Sequence, residues 1–453
     1  MQDRYLALNM IASLAGKFIT LMSLGVSTTQ ALILAAGNSS RMNSQLPKVV
    51  HRVGGLELIN HNLLLLQELG FEEAVMVCGP QLDFVDVTHI SVRKVFQREK
   101  KGTAHAVKCA LPELHSRNVL ILYGDVPLIS KGTIEALLES QEKYDATLLG
   151  FPVMDSSSEY GRLMITEGKV SRIIEYSELE GEQKQVLNFA NSGILCIDVK
   201  LLKEYISLVD ASNRQGEYYL TDVVNLMARD SRNVGFNIIQ ESEGIGINTQ
   251  ADLSRAERFF QERKRARFLS AGVRLIDPDT VYFAYDTYIE SDVIVHPNVI
   301  FFPGVKVFRG AEILPFSLLE GVAIGSAAKV GPFARIRGSS DIGGNAVIGN
   351  FVEVKNSTIG QGVKVKHLSY IGDASIGDQT NIGGGTVICN FDFEKKHHTQ
   401  IDKKCFIGGN NTIVAPVRIH AEARTAAGST ITSDVPPKKL GISRAMQVNK
   451  SIK

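Results

Sequence analysis

The spacing of apolar residues changes character near residue 250. Before it, short apolar runs closed by glycine or polar residues alternate with longer stretches of helical spacing. The runs 31–36, 74–78, 118–123, 146–153 and 193–197 predict buried strands. Leu58, Ile59, Leu63, Leu65, Leu66 and Leu69 predict a helix over 56–69, and 131–142 and 220–229 read the same way. Strands alternating with helices predict a mostly parallel sheet covered on both faces, with ligands at the carboxyl ends of its strands. Residues 251–269 form one charged helix, in which Arg255, Arg258, Arg263, Lys264, Arg265 and Arg267 are interleaved with Glu257 and Glu262. It reads as a solvated linker with i,i+4 pairing rather than a nucleic-acid patch.

From residue 289 an aliphatic residue recurs every six positions. One run is Ile289, Val295, Phe301, Val307, Ile313 and Leu319, and a second is Ile324, Val330, Ile336, Ile342, Ile348 and Val354. Five-residue steps lead to Ile359, Val365 and Ile371, then to Ile376, Ile382 and Ile388; the register resumes at Ile401, Ile407, Ile413, Ile419, Thr425 and Ile431. A period of six fits neither helix nor simple strand and predicts a hexapeptide-repeat β-helix, one hexad per flat side of a triangular prism. The break at 389–400 is too polar for a rung and is expected to leave the prism as a loop, where sites are commonly built.

With 453 residues, two or three domains are expected, and 44% apolar residues exclude disorder as the main state. Lysine plus arginine number 49 against 48 aspartate plus glutamate, so the net charge of +1 argues against bulk electrostatic binding to nucleic acid. The five cysteines, none in a CxxC motif, read as buried free thiols of a reducing cytoplasm. The apolar stretches before residue 27 resemble a signal peptide or weak membrane span, but a strand follows at once. Residues 1–29 are therefore read as an extension, disordered or in part untranslated if translation starts at Met22, with no stable membrane insertion.

The candidate chemistry of the first half lies in loops after strands. Leu34-Ala35-Ala36-Gly37 ends the first strand, and Arg41 and Lys48 follow. Small residues let the backbone approach a nucleotide and offer N–H groups to its phosphates, and the two cations add positive charge. A tight strand-to-helix turn is the competing reading, and the Walker pattern is missing. Gln97 with Gly102-Thr103-Ala104-His105-Ala106 is a second element. Tyr123-Gly124-Asp125-Val126-Pro127 is a third, whose aspartate suits a magnesium ion against phosphate oxygens or, more plainly, a helix cap. In the second half, two arginines lie at Arg335 and Arg337, and His367 and Gly385 are about one rung apart, near one corner in successive turns. A near-neutral imidazole suits removal of an amine proton, although a wall histidine bonded to backbone is the plainer reading.

In order and spacing, these strings resemble the sugar-1-phosphate nucleotidylyltransferases. With the β-helix attached, the chain from about residue 30 to its end resembles the bacterial bifunctional N-acetylglucosamine-1-phosphate uridylyltransferase/glucosamine-1-phosphate acetyltransferases. Tyr160-Gly161-Arg162, Ile174-Glu175, Asn191-Ser192-Gly193 and Gly246-Ile247-Asn248 extend the match. The resemblance implies a Rossmann-like uridylyltransferase domain over 30–250, a linker helix over 251–272 and a left-handed parallel β-helix acetyltransferase domain over 273–453. It implies that Leu34, Ala35, Ala36, Gly37, Lys48, Gln97, Gly102, Thr103, Tyr123, Gly124 and Asp125 hold UTP. Gly161, Glu175 and Asn191 would orient N-acetylglucosamine-1-phosphate, with Asp125 and Asn248 on Mg²⁺. In the β-helix it implies His367 as general base, with Arg337, Lys355, Tyr370 and Asn381 on glucosamine-1-phosphate. Gly384, Asn390, Phe391, Gly409, Ala427 and Arg444 would line the acetyl-CoA site, and Lys396 matches a loop lysine. A cytoplasmic homotrimer feeding cell-wall and lipopolysaccharide precursors is expected.

The chain departs from the family at several of these points. Asn38-Ser39-Ser40 stands where a glycine followed by threonine is usual, Gly384 and Gly409 where alanine and serine are frequent, and Phe391 where a tyrosine hydroxyl is lost. A uridylyltransferase whose β-helix serves only as a scaffold, and a sugar-nucleotide sensor without turnover, remain the competing readings.

Overall fold

The computed structural model describes residues 25–452 apart from 38–39, 83–86, 88, 154–158, 180–182 and 214. The expectations for residues 1–24 and for Asn38 and Ser39 lie outside the described residues. The chain divides into two compact units between Phe259 and Phe260.

The first unit contains β1 (Thr29–Ala35), the hairpin β2 (Arg52–Val53) and β3 (Leu56–Glu57), β4 (Glu73–Cys78), β5 (Ser91–Phe96), β6 (Asn118–Tyr123), β7 (Ala146–Pro152), β8 (Arg162–Thr166), β9 (Lys169–Ile174), β10 (Phe189–Asp198) and β11 (Val234–Ile238). The main sheet runs β11-β7-β10-β6-β1-β4-β5, with β8 paired to β10 and β9 to β8. β1 is parallel to both β4 and β6, so both of its hydrogen-bonding edges are paired, and its residues from Ala31 to Ala35 are buried. The run at 193–197 is the second half of β10, which lies antiparallel to β6 and β7. The helices Leu58–Leu69, Lys131–Gln141 and Leu220–Arg229 form where the spacing predicted them. The first ends on Gly70 at φ 90°, a left-handed C-cap.

The second unit is a left-handed parallel β-helix of three sheets, with 10, 8 and 8 strands. Most strands pair with one 18 residues on, as in Val295↔Ile313, or 17 residues on where a five-residue step intervenes, as in Ile313↔Val330; where the polar loop intervenes the partner lies 25 residues on, as in Ile376↔Ile401. Every aliphatic of the sixfold register points inward and is buried, from Ile289 at 6% to Ile431 at 4% exposure. Each adds about 1.5–3 kcal/mol of burial, and only stacking of rungs removes its flanks from water. Corners turn through left-handed residues. Along one edge these are Asn298, Phe316, Phe333, Phe351 and Leu368, each at φ between 49° and 59°.

The charged helix spans Gln250–Ser270. Arg265, expected to be solvated, is buried, and its guanidinium donates to the carbonyls of Asp279 at 2.9 Å and Val281 at 3.1 Å. Arg255 pairs with Glu241 at 2.7 Å. All five cysteines are free, but only Cys78, Cys196 and Cys405 are buried; Cys389 is exposed at the start of the polar loop, which corrects the expectation of uniformly buried thiols.

Candidate functional site

In the first unit, the carboxyl ends of β1 and β6 open onto a cavity of about 530 Å³. It is lined by Leu34, Ala35, Ala36, Gly37, Lys48, Gln97, Gly102, Thr103, Tyr123, Asp125 and Asn248 among others. Gly124 lies behind it, its N–H donating to the Leu34 carbonyl at 2.9 Å and so tying the loops after β1 and β6 together. At one end Lys48 Nζ bonds the Asp125 carboxylate and the Asn248 Oδ1, the latter at 3.0 Å, and Arg41 also reaches Asn248 Oδ1 at 3.0 Å. Two oxygen donors from loops far apart in sequence thus converge on one cation.

The Asn248 segment is held by a reciprocal cap. Asp252 Oδ2 accepts from the N–H groups of Asn248 at 3.0 Å and Thr249 at 2.8 Å, and Thr249 Oγ1 accepts from the Asp252 N–H at 3.1 Å. Across the cavity Gly102 has φ 101° and ψ 179°, a conformation open to glycine, and a Cβ there would meet the Tyr218 carbonyl oxygen at 2.5 Å. Gln97, buried, donates to the Gly102 carbonyl at 3.1 Å and also contacts His105 Nδ1 at 2.9 Å.

Gly161, Glu175 and Asn191 form a second group. Asn191 N–H donates to the Gly161 carbonyl at 2.8 Å, and a Cβ on Gly161 would lie 3.3 Å from Glu175 Oε2. Burial pushes the Glu175 carboxyl above its ordinary range, partly offset by the Thr221 hydroxyl donating at 2.7 Å. Burial likewise pushes the Tyr160 phenol up to about 12, while its oxygen accepts the Gly246 N–H at 2.9 Å. The Asn191 side-chain oxygen accepts from Gly193 N–H at 3.1 Å, inside its own turn.

On the β-helix, one wall stacks Arg337 beside Lys355, and Tyr370 sits in the next strand of that wall. Arg337 pairs with Glu353 at 2.7 Å. The ammonium of Lys396, from the loop, meets that of Lys355 and lowers its pKa. His367 is exposed at the end of the strand Lys364–His367, in a different sheet that also contains Asn381. Its Nδ1 is 2.8 Å from Asn350 Oδ1; an amide oxygen can only accept, so Nδ1 is the donor and the neutral form of the ring presents its lone pair at Nε2. The His367 carbonyl accepts the Gly385 N–H at 3.3 Å, so these two residues do meet in successive turns.

Gly384, Gly409 and Ala427 form a column, with the Gly384 carbonyl accepting from Asn410 at 2.8 Å and the Gly409 carbonyl from Gly428 at 2.8 Å. Arg444 extends it by donating to the Ala427 carbonyl at 2.8 Å. A Cβ on Gly384 would lie 3.4 Å from His367 Cβ, an ordinary contact, so the missing alanine methyl leaves this backbone unstrained. Asn390 bonds Asp373, and the Phe391 ring is exposed.

No role is assigned to Asn350, Asp252 or Asp373 from the sequence. Asn350 had a usable signal, since it precedes His367 by 17 residues, one rung.

A model of the MobA-like NTP transferase domain matches residues 31–189, and one of the GMPPB C-terminal domain matches 318–393. A protein of Wolbachia pipientis named bifunctional protein GlmU is 43% identical over 93% of this chain and 98% of its own length. Proteins of the same name from Paracoccus denitrificans and Cereibacter sphaeroides are 44% and 45% identical, each over 94% of its own length and 92% and 93% of this chain.

Proposed function

The chain belongs to the bifunctional GlmU family, and on that premise we propose where its two reactions run and which residues run them. It is an enzyme of UDP-N-acetylglucosamine synthesis, with acetyltransferase activity on glucosamine-1-phosphate and uridylyltransferase activity on N-acetylglucosamine-1-phosphate. We assign uridylyl transfer to residues 30–250, acetyl transfer to 273–453, and a linker role to 251–272.

In uridylyl transfer, a phosphate oxygen of the sugar attacks the α-phosphorus of UTP in line and pyrophosphate leaves. No covalent enzyme group is needed, so positioning and cationic charge lower the barrier. The observation on which the assignment rests is the convergence of Asp125 and Asn248 oxygens on the Lys48 ammonium at the end of a nucleotide-sized cavity. Two hard oxygen donors on one cation position suit Mg²⁺, which keeps few protein ligands and takes the rest from water and phosphate. Asp125 and Asn248 would hold that ion, which when bound supplies charge neutralisation to the phosphates. Lys48 then serves the phosphates as a second cation. The backbone of Leu34 to Gly37, with Gln97, Gly102, Thr103, Tyr123 and Gly124, frames the nucleotide, and Gly161, Glu175 and Asn191 orient the sugar.

In acetyl transfer, His367 Nε2 takes a proton from the glucosamine amine, the nitrogen attacks the thioester carbonyl, and the CoA thiolate leaves. Arg337, Lys355, Tyr370 and Asn381 hold the sugar phosphate. The column of Gly384, Gly409, Ala427 and Arg444, with Asn390 and Phe391, receives acetyl-CoA. A homotrimer is supported by the exposed edge on which Phe316, Phe333 and Phe351 stack with ring centroids 5.0 and 5.1 Å apart, a patch suited to a second copy of the chain. A cytoplasmic setting fits UTP and acetyl-CoA as substrates. Among the described residues, no helix is long and apolar enough to cross a membrane.

The test is a pair of assays on purified variants. His367→Ala is expected to abolish CoA release and keep pyrophosphate release, and Asp125→Ala the reverse. Loss of both activities in either variant would refute the assignment.

A further inference from the structure

The loop between the strands Val387–Cys389 and Thr399–Ile401 closes around one carboxylate. Asp392 accepts from the N–H groups of Glu394 at 3.0 Å and Lys395 at 2.8 Å, and its other oxygen pairs with the His397 ring. Its own N–H donates to the Lys395 carbonyl at 3.2 Å, and the His397 N–H returns to the Asn390 carbonyl at 2.8 Å. Phe391 and Lys396 therefore pair as an antiparallel bridge across the closed turn. The base of the loop is fixed to the prism by Asn390 on Asp373 and by the His398 ring at 3.0 Å from Ser375 Oγ.

Lys396 lies inside this closure, and its ammonium faces that of Lys355. Two like charges side by side repel, so an ordering force is needed to hold the pair together. The donors around Asp392 supply it. They also hold that carboxyl well below the usual carboxylate range, first through the Lys395 N–H and then through His397 and the Glu394 N–H.

We infer that Asp392 is a positioning residue of acetyl transfer, closing the 391–397 turn so that Lys396 stands opposite Lys355 and the two ammonium groups grip the phosphate of glucosamine-1-phosphate. The inference rests on the assignment of Lys355 to that phosphate. Toward glucosamine-1-phosphate Asp392 acts through Lys396, which separates it from a residue that merely stabilises the prism.

The test is a double-mutant cycle on the full chain, read as CoA release against glucosamine-1-phosphate concentration. Asp392→Ala should raise the KM for glucosamine-1-phosphate about tenfold, the worth of the charge-assisted hydrogen bonds lost. Asp392→Asn keeps an acceptor for the two N–H groups and should lose less. In a Lys396→Ala background, Asp392→Ala should change nothing further, while melting temperature and pyrophosphate release stay at the wild-type level. A wild-type KM for Asp392→Ala, or an effect that multiplies with that of Lys396→Ala, would overturn the positioning role. A wild-type KM for both Lys355→Ala and Lys396→Ala would instead remove the phosphate assignment, and the inference with it.

Discussion

Replacing Gly102 with alanine should damage one reaction and spare the other. At φ 101° and ψ 179° the backbone is in a region essentially reserved for glycine, and a side chain there costs about 1–3 kcal/mol. The added Cβ would lie 2.5 Å from the Tyr218 carbonyl oxygen and 2.8 Å from its nitrogen, both backbone atoms that a rotamer change cannot move. The Tyr218 carbonyl accepts from Ala104 N–H, and the Tyr218 N–H donates to Lys101, each at 2.9 Å. The strain is relieved only if residues 101–104 shift, which withdraws Gly102 and Thr103 from the cavity. If that strain appears fully in the transition state, kcat/KM for pyrophosphate release falls roughly 5- to 150-fold. Steady-state assays of the Gly102→Ala variant with UTP and N-acetylglucosamine-1-phosphate measure this, with CoA release as the internal control. Unchanged pyrophosphate release would refute the reasoning, because it would mean that the loop accepts a side chain without moving.

Three further outcomes follow from the geometry. Gly384→Ala should leave melting temperature and CoA release near wild type, since its Cβ would make an ordinary 3.4 Å contact; a large loss would show that the acetyl-CoA column needs glycine. Ile348→Ala removes a fully buried inward residue and should cost about 2–5 kcal/mol in a denaturant titration of the β-helix. Glu175 has a raised carboxyl pKa, so its charged form opposes folding; the stability associated with its proton is fully present below the ordinary value of 4.5 and lost as pH rises through the raised one. Glu175→Gln should therefore raise the melting temperature relative to wild type at pH 8 and lose that advantage at pH 4, while weakening use of the sugar substrate.

The β-helix was legible because each inward aliphatic repeats a local rule, and every residue of the register is buried. A second inward position lies two residues earlier in the hexad. It is filled by Val299, Ala311, Ser317, Ala328, Ser340 and Thr380, small residues of mixed polarity that leave no hydrophobic period although all are buried. In the first unit, β1, β4 and β6 were readable as apolar runs, whereas β5, with no fully buried residue, and the hairpin β8–β9 carry too little apolar contrast. Antiparallel β10 shows why strand order was hidden, since a buried run reads the same in either direction. Single site residues stood out in short strings, but their partners depend on the fold. Asp252 under Asn248 and Lys396 against Lys355 meet only once the chain has closed.

The central claim, two separate sites on one chain, is tested most directly by complementation. Asp125→Ala and His367→Ala are each incubated with glucosamine-1-phosphate, acetyl-CoA, UTP and Mg²⁺, alone and mixed, and UDP-N-acetylglucosamine is quantified by mass spectrometry. The account predicts no product from either variant alone and product from the mixture, because N-acetylglucosamine-1-phosphate made by the first is taken up by the second. A mixture that stays silent while the wild type turns over would contradict it.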